Sequence, residues 1–333
     1  MKRWIAFLLA CSPALAAISG TAVNRTTGKP QAGLTVGYYK LENGLELVEE
    51  TKTGPQGDFN LNRDVQGAGL LRATLDGVTY NEVLQQGSPS TGITLNVYAA
   101  SAQPGAAKIT KHMILLQPAG GTLGVKETFL FSNTGNATWN DSRNGTLRFL
   151  LPASAGGKAE VNATAPAGMP VSAPLVKTGE VNVAGVDFAI KPGETRIDVD
   201  YTVPYKEGEA YEGRIVTRDE NTYLIAPNGV TLAGDHLNDL GVESQTQAHI
   251  FGLAGAAYKV TLSGSVAPAA SQGDEEADAG PQIAVVMPRA LGYAVPIVGL
   301  GLGILALGFA ILYRSGSGEK APEVEEANAR ARR

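Results

Sequence analysis

The sequence predicts an all-β protein: two consecutive β-sandwich domains followed by one C-terminal transmembrane helix. Three observations carry that expectation. Short apolar/polar alternations recur along residues 18–266, separated by turn residues, as half-buried strands require. Glycine and proline number 41 and 18 in 333 residues, a turn-rich composition with few long helical periods. The stretch Ala290–Tyr313 contains no charged residue.

The N-terminus reads as an export signal over residues 1–17. Lys2 and Arg3 precede the apolar run Trp4–Ala10, and Ala14-Leu15-Ala16 offers small residues at the spacing signal peptidase needs. The apolar run is too short to span a bilayer. Leu8-Leu9-Ala10-Cys11 resembles a bacterial lipobox, which would instead make Cys11 a lipidated first residue. Cleavage near Ala16 or Ala17 removes Cys11, the chain's one cysteine, so the mature chain can form no disulfide, thiolate metal site or cysteine nucleophile.

Residues 18–102 read as the first sandwich. Ile18–Val23 is a short strand, and Asn24–Gly33 a loop rich in Gly, Pro and Thr. Leu34–Leu41 resumes as strand, and an Asn43-Gly44 hairpin signal leads into Leu45, Leu47 and Thr51. Phe59 and Leu61 alternate with polar neighbours; Leu70–Leu75, Tyr80–Leu84 and Ile93–Tyr98 complete roughly seven strands. Gly28 and Gly57 fall where turns need positive φ, Pro30 presets the backbone after the first of them, and Phe59 is the expected core aromatic.

The run Ile18–Val36 resembles the opening of carboxypeptidase regulatory-like domains, the transthyretin-like accessory module. Thr27-Gly28-Lys29-Pro30 and Gly33 match that family's T-G-x-P segment and following glycine, and Thr53–Phe59 is similar to its T-x-x-x-G-x-F turn into a strand. Family members usually carry Asp or Asn after that threonine; Gly54 stands here instead. The resemblance implies a transthyretin-like fold over about a quarter of the chain. It implies little about activity, because the module is reused as a spacer and binding domain.

Residues 103–266 read as a second, larger sandwich. Its expected strands are Ile109–Leu116, Thr122–Phe131, Gly145–Leu151, Val181–Ile190, Thr195–Val203, Arg214–Thr217, Tyr223–Ala226, Ala248–Leu253 and Lys259–Val266. The clearest has Ile197, Val199, Tyr201 and Val203 alternating with Asp198, Asp200 and Thr202, one face buried and one solvated. Phe129–Asn136, with its Asn-Thr-Gly-Asn turn, and Pro192-Gly193-Glu194-Thr195 resemble segments of bacterial immunoglobulin-like envelope domains, a likeness used for fold only. Ala153–Pro174, rich in Ala, Gly and Pro, reads as an irregular excursion between strands. Residues 267–289, with the acidic run Asp274-Glu275-Glu276, read as a disordered stalk.

Residues 290–313 are long enough as a helix, about 36 Å, to cross a hydrocarbon layer of about 30 Å with some tilt. Tyr293 and Tyr313 sit at interfacial positions, and Pro296 falls in the first two turns, where a missing amide costs least. With an export signal in front, residues 314–333 form a cytoplasmic tail, and Arg314 and Lys320 agree with the positive-inside rule. The expectation is a single-pass, type I protein of the cell membrane, its bulk periplasmic or extracellular. Gly299, Gly303, Ala306 and Ala310 place small residues on one helix face, a candidate helix–helix interface.

Chemistry-bearing patterns are sparse. With 27 Lys+Arg against 32 Asp+Glu there is no basic excess for nucleic acid. His112, His236 and His249 lie in no zinc-hydrolase motif, and no serine elbow or phosphate loop occurs. His112 reads as structural, Asp235–Asp239 as a solvated polar loop, and Asp198 and Asp200 as solvent-face residues. Trp139, in the polar loop Asn136–Gly145, either contacts a ligand such as a glycan or tucks back on the sandwich. The asparagines of five N-x-S/T sequences, at 24, 136, 140, 144 and 162, matter in a glycosylating host and are otherwise polar turn residues. The sequence thus points to a protein without enzymatic activity or cofactor, an envelope binding or assembly subunit with a protein partner. A glycan-binding protein and an accessory factor of a peptidase are the alternatives.

Overall fold

A computed structural model describes residues 18–41, 44–65, 67–217 and 221–265. The described residues are nearly all β: the one helical element among them is a three-residue 3-10 turn, Ala153–Ala155. No helix among them is long and apolar enough to cross a membrane. The signal peptide, stalk, transmembrane helix and tail expected at 1–17, 267–289, 290–313 and 314–333 lie outside the described residues. All described residues belong to one compact unit, within which two hydrophobic cores separate.

The first core sits between two four-stranded sheets. In one, Ile18–Asn24 pairs antiparallel with Lys29–Pro30 and Asp58–Leu61, and parallel with Ile93–Val97. The other runs Glu46–Lys52, Thr35–Lys40, Gly69–Leu75, Val78–Leu84, all antiparallel. Strand alternation sends Ile18, Val36, Tyr38, Phe59, Leu61, Leu71, Leu95 and Val97 into the space between.

The two turn segments singled out in the sequence meet here. Thr53 is buried; its hydroxyl donates to the Gln31 carbonyl at 2.6 Å and accepts the Leu34 amide at 2.9 Å. One side chain thus closes the loop after Pro30 onto the turn before Phe59. Gly57 has φ of 72°, and a Cβ there would lie 2.5 Å from the Ala22 carbonyl oxygen, so both conformation and space require glycine.

The second core is larger. One face is an eight-stranded sheet in the order Val171–Ser172, Glu160–Thr164, Gly193–Pro204, Thr122–Asn133, Ala107–Ala119, Thr222–Ala226, His249–Leu253, Leu237–Val242. Two three-stranded sheets supply the rest: Leu147–Leu150, Val183–Val186, Leu175–Lys177, and Ala210–Arg214, Ala257–Gly264, Val230–Gly234. Phe129, Ile197 and Val199 of the large sheet pack with Phe149, Val186, Tyr258 and Val260 of the small ones. The alternation of Ile197–Val203 holds as expected, with Asp198 and Asp200 on the other face.

Three expectations change. Ala153–Pro174 is not irregular throughout: Glu160–Thr164 is a strand pairing with Gly193–Pro204, and Val161 and Ala163 are buried. Its alternation is short and weakly apolar, so it does not stand out from the Ala/Gly/Pro background. The expected strand at Arg214–Thr217 lies earlier, at Ala210–Arg214, where Tyr211 supplies the buried position. Asp235–Asp239 is not one loop. Asp235-His236, with His236 at φ of 62°, is a two-residue turn carrying the chain from Val230–Gly234 in a small sheet to Leu237–Val242 on the edge of the large one.

Candidate functional site

The chemistry-bearing side chains collect in two places. The first lies inside the second core. A bulge between Ile109 and Lys111 switches the inward parity of strand Ala107–Ala119, so that His112 follows Ile109 into the interior. Glu127 sits at the inward parity of Thr122–Asn133, among Val125, Phe129 and Phe131. The two side chains, 3% and 7% exposed, meet with Nε2 and Oε2 2.8 Å apart. Tyr201 donates its hydroxyl to Glu127 Oε1 at 3.1 Å, and the Tyr201 and Tyr211 hydroxyls lie 3.2 Å apart. The Tyr211 and Tyr258 rings follow at 6.2 Å.

This polar chain crosses the sandwich from the large sheet to a small one. It ends beneath an open cleft of about 480 Å³, lined by Tyr258 with Arg214, Asp235, His236 and Lys259. At its other end the His112 ring stacks on Phe129 at 4.0 Å, and its Nδ1 has no hydrogen-bond partner. Glu127 therefore receives two donors inside an apolar core, the condition under which a buried carboxylate is tolerated.

Burial pushes the Tyr201 and Tyr258 hydroxyls well above the usual phenol range, with the negative charge of Glu127 adding to it. Burial likewise pushes Tyr211 up to about 12. A phenol neutral in the fold but ionised in the unfolded chain contributes stability that is complete below pH about 10 and is lost as pH rises from there. For Tyr211 alone the loss between about pH 10 and 12 amounts to roughly 1.4 kcal/mol per pH unit. An alkaline titration should therefore show exposed tyrosines ionising first, and the buried ones only together with loss of the β circular-dichroism signal. Complete ionisation with the signal intact would contradict the buried chain.

The second place is the joint between the two cores. Ala100–Ser101 pairs in parallel with Thr138–Trp139. Tyr80, from the first core, donates its hydroxyl to the Tyr98 carbonyl at 2.7 Å and meets Thr138 Oγ1 at 2.8 Å. Lys191 reaches back from the second sandwich to donate to the Thr79 carbonyl, and its ammonium lies 5.1 Å from the Tyr80 ring centre. Burial holds Lys191 below the usual lysine range, with Arg72 adding repulsion. Asn133, buried at the start of the Asn-Thr-Gly-Asn turn, donates to the carbonyls of Ala137 and Ile190 at 2.9 and 3.0 Å. That turn presents the Asn136 carbonyl to the Thr26 hydroxyl of the first sandwich.

Trp139 belongs to this joint. Its ring is half-buried against the second core, 6.3 Å from Phe131, and its indole N–H donates to the Ala102 carbonyl at 3.2 Å. Gly299, Gly303, Ala306 and Ala310 lie outside the described residues. His249 Nε2 meets Asp239 at 2.7 Å, and that bond holds the exposed carboxyl of Asp239 below its usual range. Partial burial opposes charge on Asp198, but bonds from Arg196 and Thr128 more than offset it and hold its carboxyl low. Among the described residues no three His, Cys, Asp or Glu side chains gather as a metal site.

No family model and no curated protein matches the chain. No family is assigned. Among solved structures it is similar to a mutant M1 zinc metallopeptidase from Deinococcus radiodurans, bound to a Tyr-Ser-Ala substrate. The identity is 10%, the TM-score 0.27, and the match covers 47% of this chain and 42% of that one. The chain thus spans less than half the length of that protein, and a likeness of this size carries no assignment of fold or activity.

The buried network was missed at the sequence level. Its one legible signal is Glu127 itself, a carboxylate in phase with Val125, Phe129 and Phe131, where alternation alone predicts an apolar residue.

Proposed function

We propose that this chain is a non-catalytic, membrane-anchored cell-envelope protein. In this reading a transthyretin-like and an immunoglobulin-like sandwich together form an extracytoplasmic binding or assembly subunit. The observation that carries it is the joint. Tyr80, Tyr98, Thr138, Trp139 and Lys191 tie the two cores across the short connection, which favours a stiff two-lobed body over beads on a flexible string. A stiff body suits a protein that holds surfaces of both lobes in one fixed arrangement for a partner. The side chains that most resemble reactive groups, His112 and Glu127, are engaged in holding that body together. The export pattern of residues 1–17 and the uncharged stretch 290–313 support the placement at the membrane.

Protease added to intact spheroplasts should digest the β body and leave a small fragment containing Arg314–Arg333. Loss of a C-terminal epitope to external protease would reverse the orientation, and survival of the body would place it inside. Purification from detergent-solubilised membranes under mild crosslinking then identifies the partner.

A further inference from the structure

We infer that Asn228 is a site of spontaneous modification in the folded protein. Its side-chain amide is lost to attack by the Gly229 main-chain nitrogen, which leaves isoaspartate in a turn joining the two layers of the second sandwich. The sequence holds three Asn-Gly pairs, at Asn43, Asn144 and Asn228. Glycine after asparagine leaves the main-chain nitrogen open to the side chain, because no Cβ shields it. Asn43 lies outside the described residues. The other two pairs share the motif and differ in what surrounds it.

Asn144 is locked. Its Nδ2 donates to Asp141 Oδ2 at 3.0 Å, and its main-chain amide donates to Asp141 Oδ1 at 3.1 Å. The Gly145 amide, which would have to attack, donates to the Asp141 carbonyl at 2.8 Å. Gly145 is buried, and a Cβ there would lie 2.7 Å from the Val186 nitrogen. A Cβ on Gly185 would lie 2.4 Å from the Asn144 carbonyl oxygen, so the backbone is pinned on both sides of the reacting bond. Asn228 and Gly229, by contrast, are exposed. Among the described residues neither the Asn228 side chain nor the Gly229 amide has a hydrogen-bond partner. The turn is held instead by the Val230 amide, which donates to the Pro227 carbonyl at 3.0 Å, with Gly229 at φ of 86°. That bond brackets the pair and leaves the attacking nitrogen free. Each hydrogen bond that must open before attack slows the reaction by roughly tenfold, which puts Asn228 ahead of Asn144.

In the first step solvent hydroxide takes the Gly229 amide proton, and the nitrogen bonds to Asn228 Cγ. The Cγ–Nδ2 bond breaks, and ammonia leaves with a proton from water, which restores the hydroxide. Water then opens the cyclic imide. Opening at Cγ gives aspartate; opening at the main-chain carbonyl gives isoaspartate, in which the backbone runs through the side chain and is longer by a carbon. The turn has no slack for that. It joins Thr222–Ala226 of the large sheet to Val230–Gly234 of a small one, and Ala226 and Val230 are both buried. A Cβ on Gly264 would lie 2.2 Å from the Gly229 carbonyl oxygen, so the turn already touches the end of strand Ala257–Gly264. A longer backbone carrying a new carboxylate should loosen that end of the small sheet.

The test is peptide mapping by mass spectrometry of the full chain, kept folded in detergent and mildly alkaline buffer, with isoaspartate told from aspartate by fragmentation. Asn228 should convert at least about tenfold faster than Asn144. In denaturant the two should convert at similar rates, because the bonds that separate them are gone. Asp141→Ala should speed conversion of Asn144 and leave Asn228 unchanged. Hydrogen exchange over Val230–Gly234 should quicken as isoaspartate accumulates, and Asn228→Gln, which disfavours the ring, should abolish that change. Equal rates in the folded chain, an Asn228 that converts only once unfolded, or a difference that persists in denaturant would each overturn the inference.

Discussion

Replacing Glu127 with leucine should destabilise the body by about 3–5 kcal/mol, the loss expected when one member of a buried polar pair is removed. The carboxylate accepts from His112 and from Tyr201, and both donors are buried in the core. Leucine fills similar volume, so the loss comes from orphaned donors and not from a cavity. The combined variant His112→Leu/Glu127→Leu/Tyr201→Phe leaves fewer unsatisfied groups and should lose much less than the sum of its parts. Denaturant unfolding of residues 18–265 measures both. If the combined variant is as unstable as the single changes added together, the three residues do not act as one network. The network bonds the central strands Ala107–Ala119, Thr122–Asn133 and Gly193–Pro204 of the large sheet, and reaches Ala210–Arg214 in the facing one. A one-residue slip of any of these strands would break it, so it sets register as well as stability.

Most strands were legible in the sequence because their alternation is regular. Ile197–Val203 shows its buried face directly, and the turn glycines at 28 and 57 take positive φ as their positions require. The network was not legible because its members are 146 residues apart at the extremes, His112 to Tyr258, and belong to five strands whose pairing no local pattern reveals. The bulge that turns His112 inward has no marker in Thr110-Lys111. Trp139 shows the same limit. A tryptophan in a polar loop reads equally as a ligand contact or a structural wedge until Ala102, from the preceding lobe, is seen to accept its N–H. Glu160–Thr164 escaped notice because its partner strand, not its composition, makes it a strand.

Phe59→Ala should cost the first sandwich about 3–5 kcal/mol, the range for truncating a buried aromatic. Phe59 is 4% exposed and packs in the core with Ile18, Leu61 and Leu95, so alanine leaves a cavity between the two sheets. The consequence for the other sandwich separates two views of the joint. Tyr80 donates to the Tyr98 carbonyl within its own lobe, and the Thr138 contact is additional. Phe131 and the buried network belong wholly to the second core, against which Trp139 of the joint packs. Each lobe should therefore keep its own core when the other is lost. The variant should melt in two steps, the first sandwich ahead of the second, where the wild-type steps lie closer together. Residues 18–102 alone should give a dispersed NMR spectrum that Phe59→Ala collapses. A single cooperative transition in the variant, or a fragment that stays unfolded until residues 103–265 are attached, would mean that the joint and not the two cores sets the folding unit.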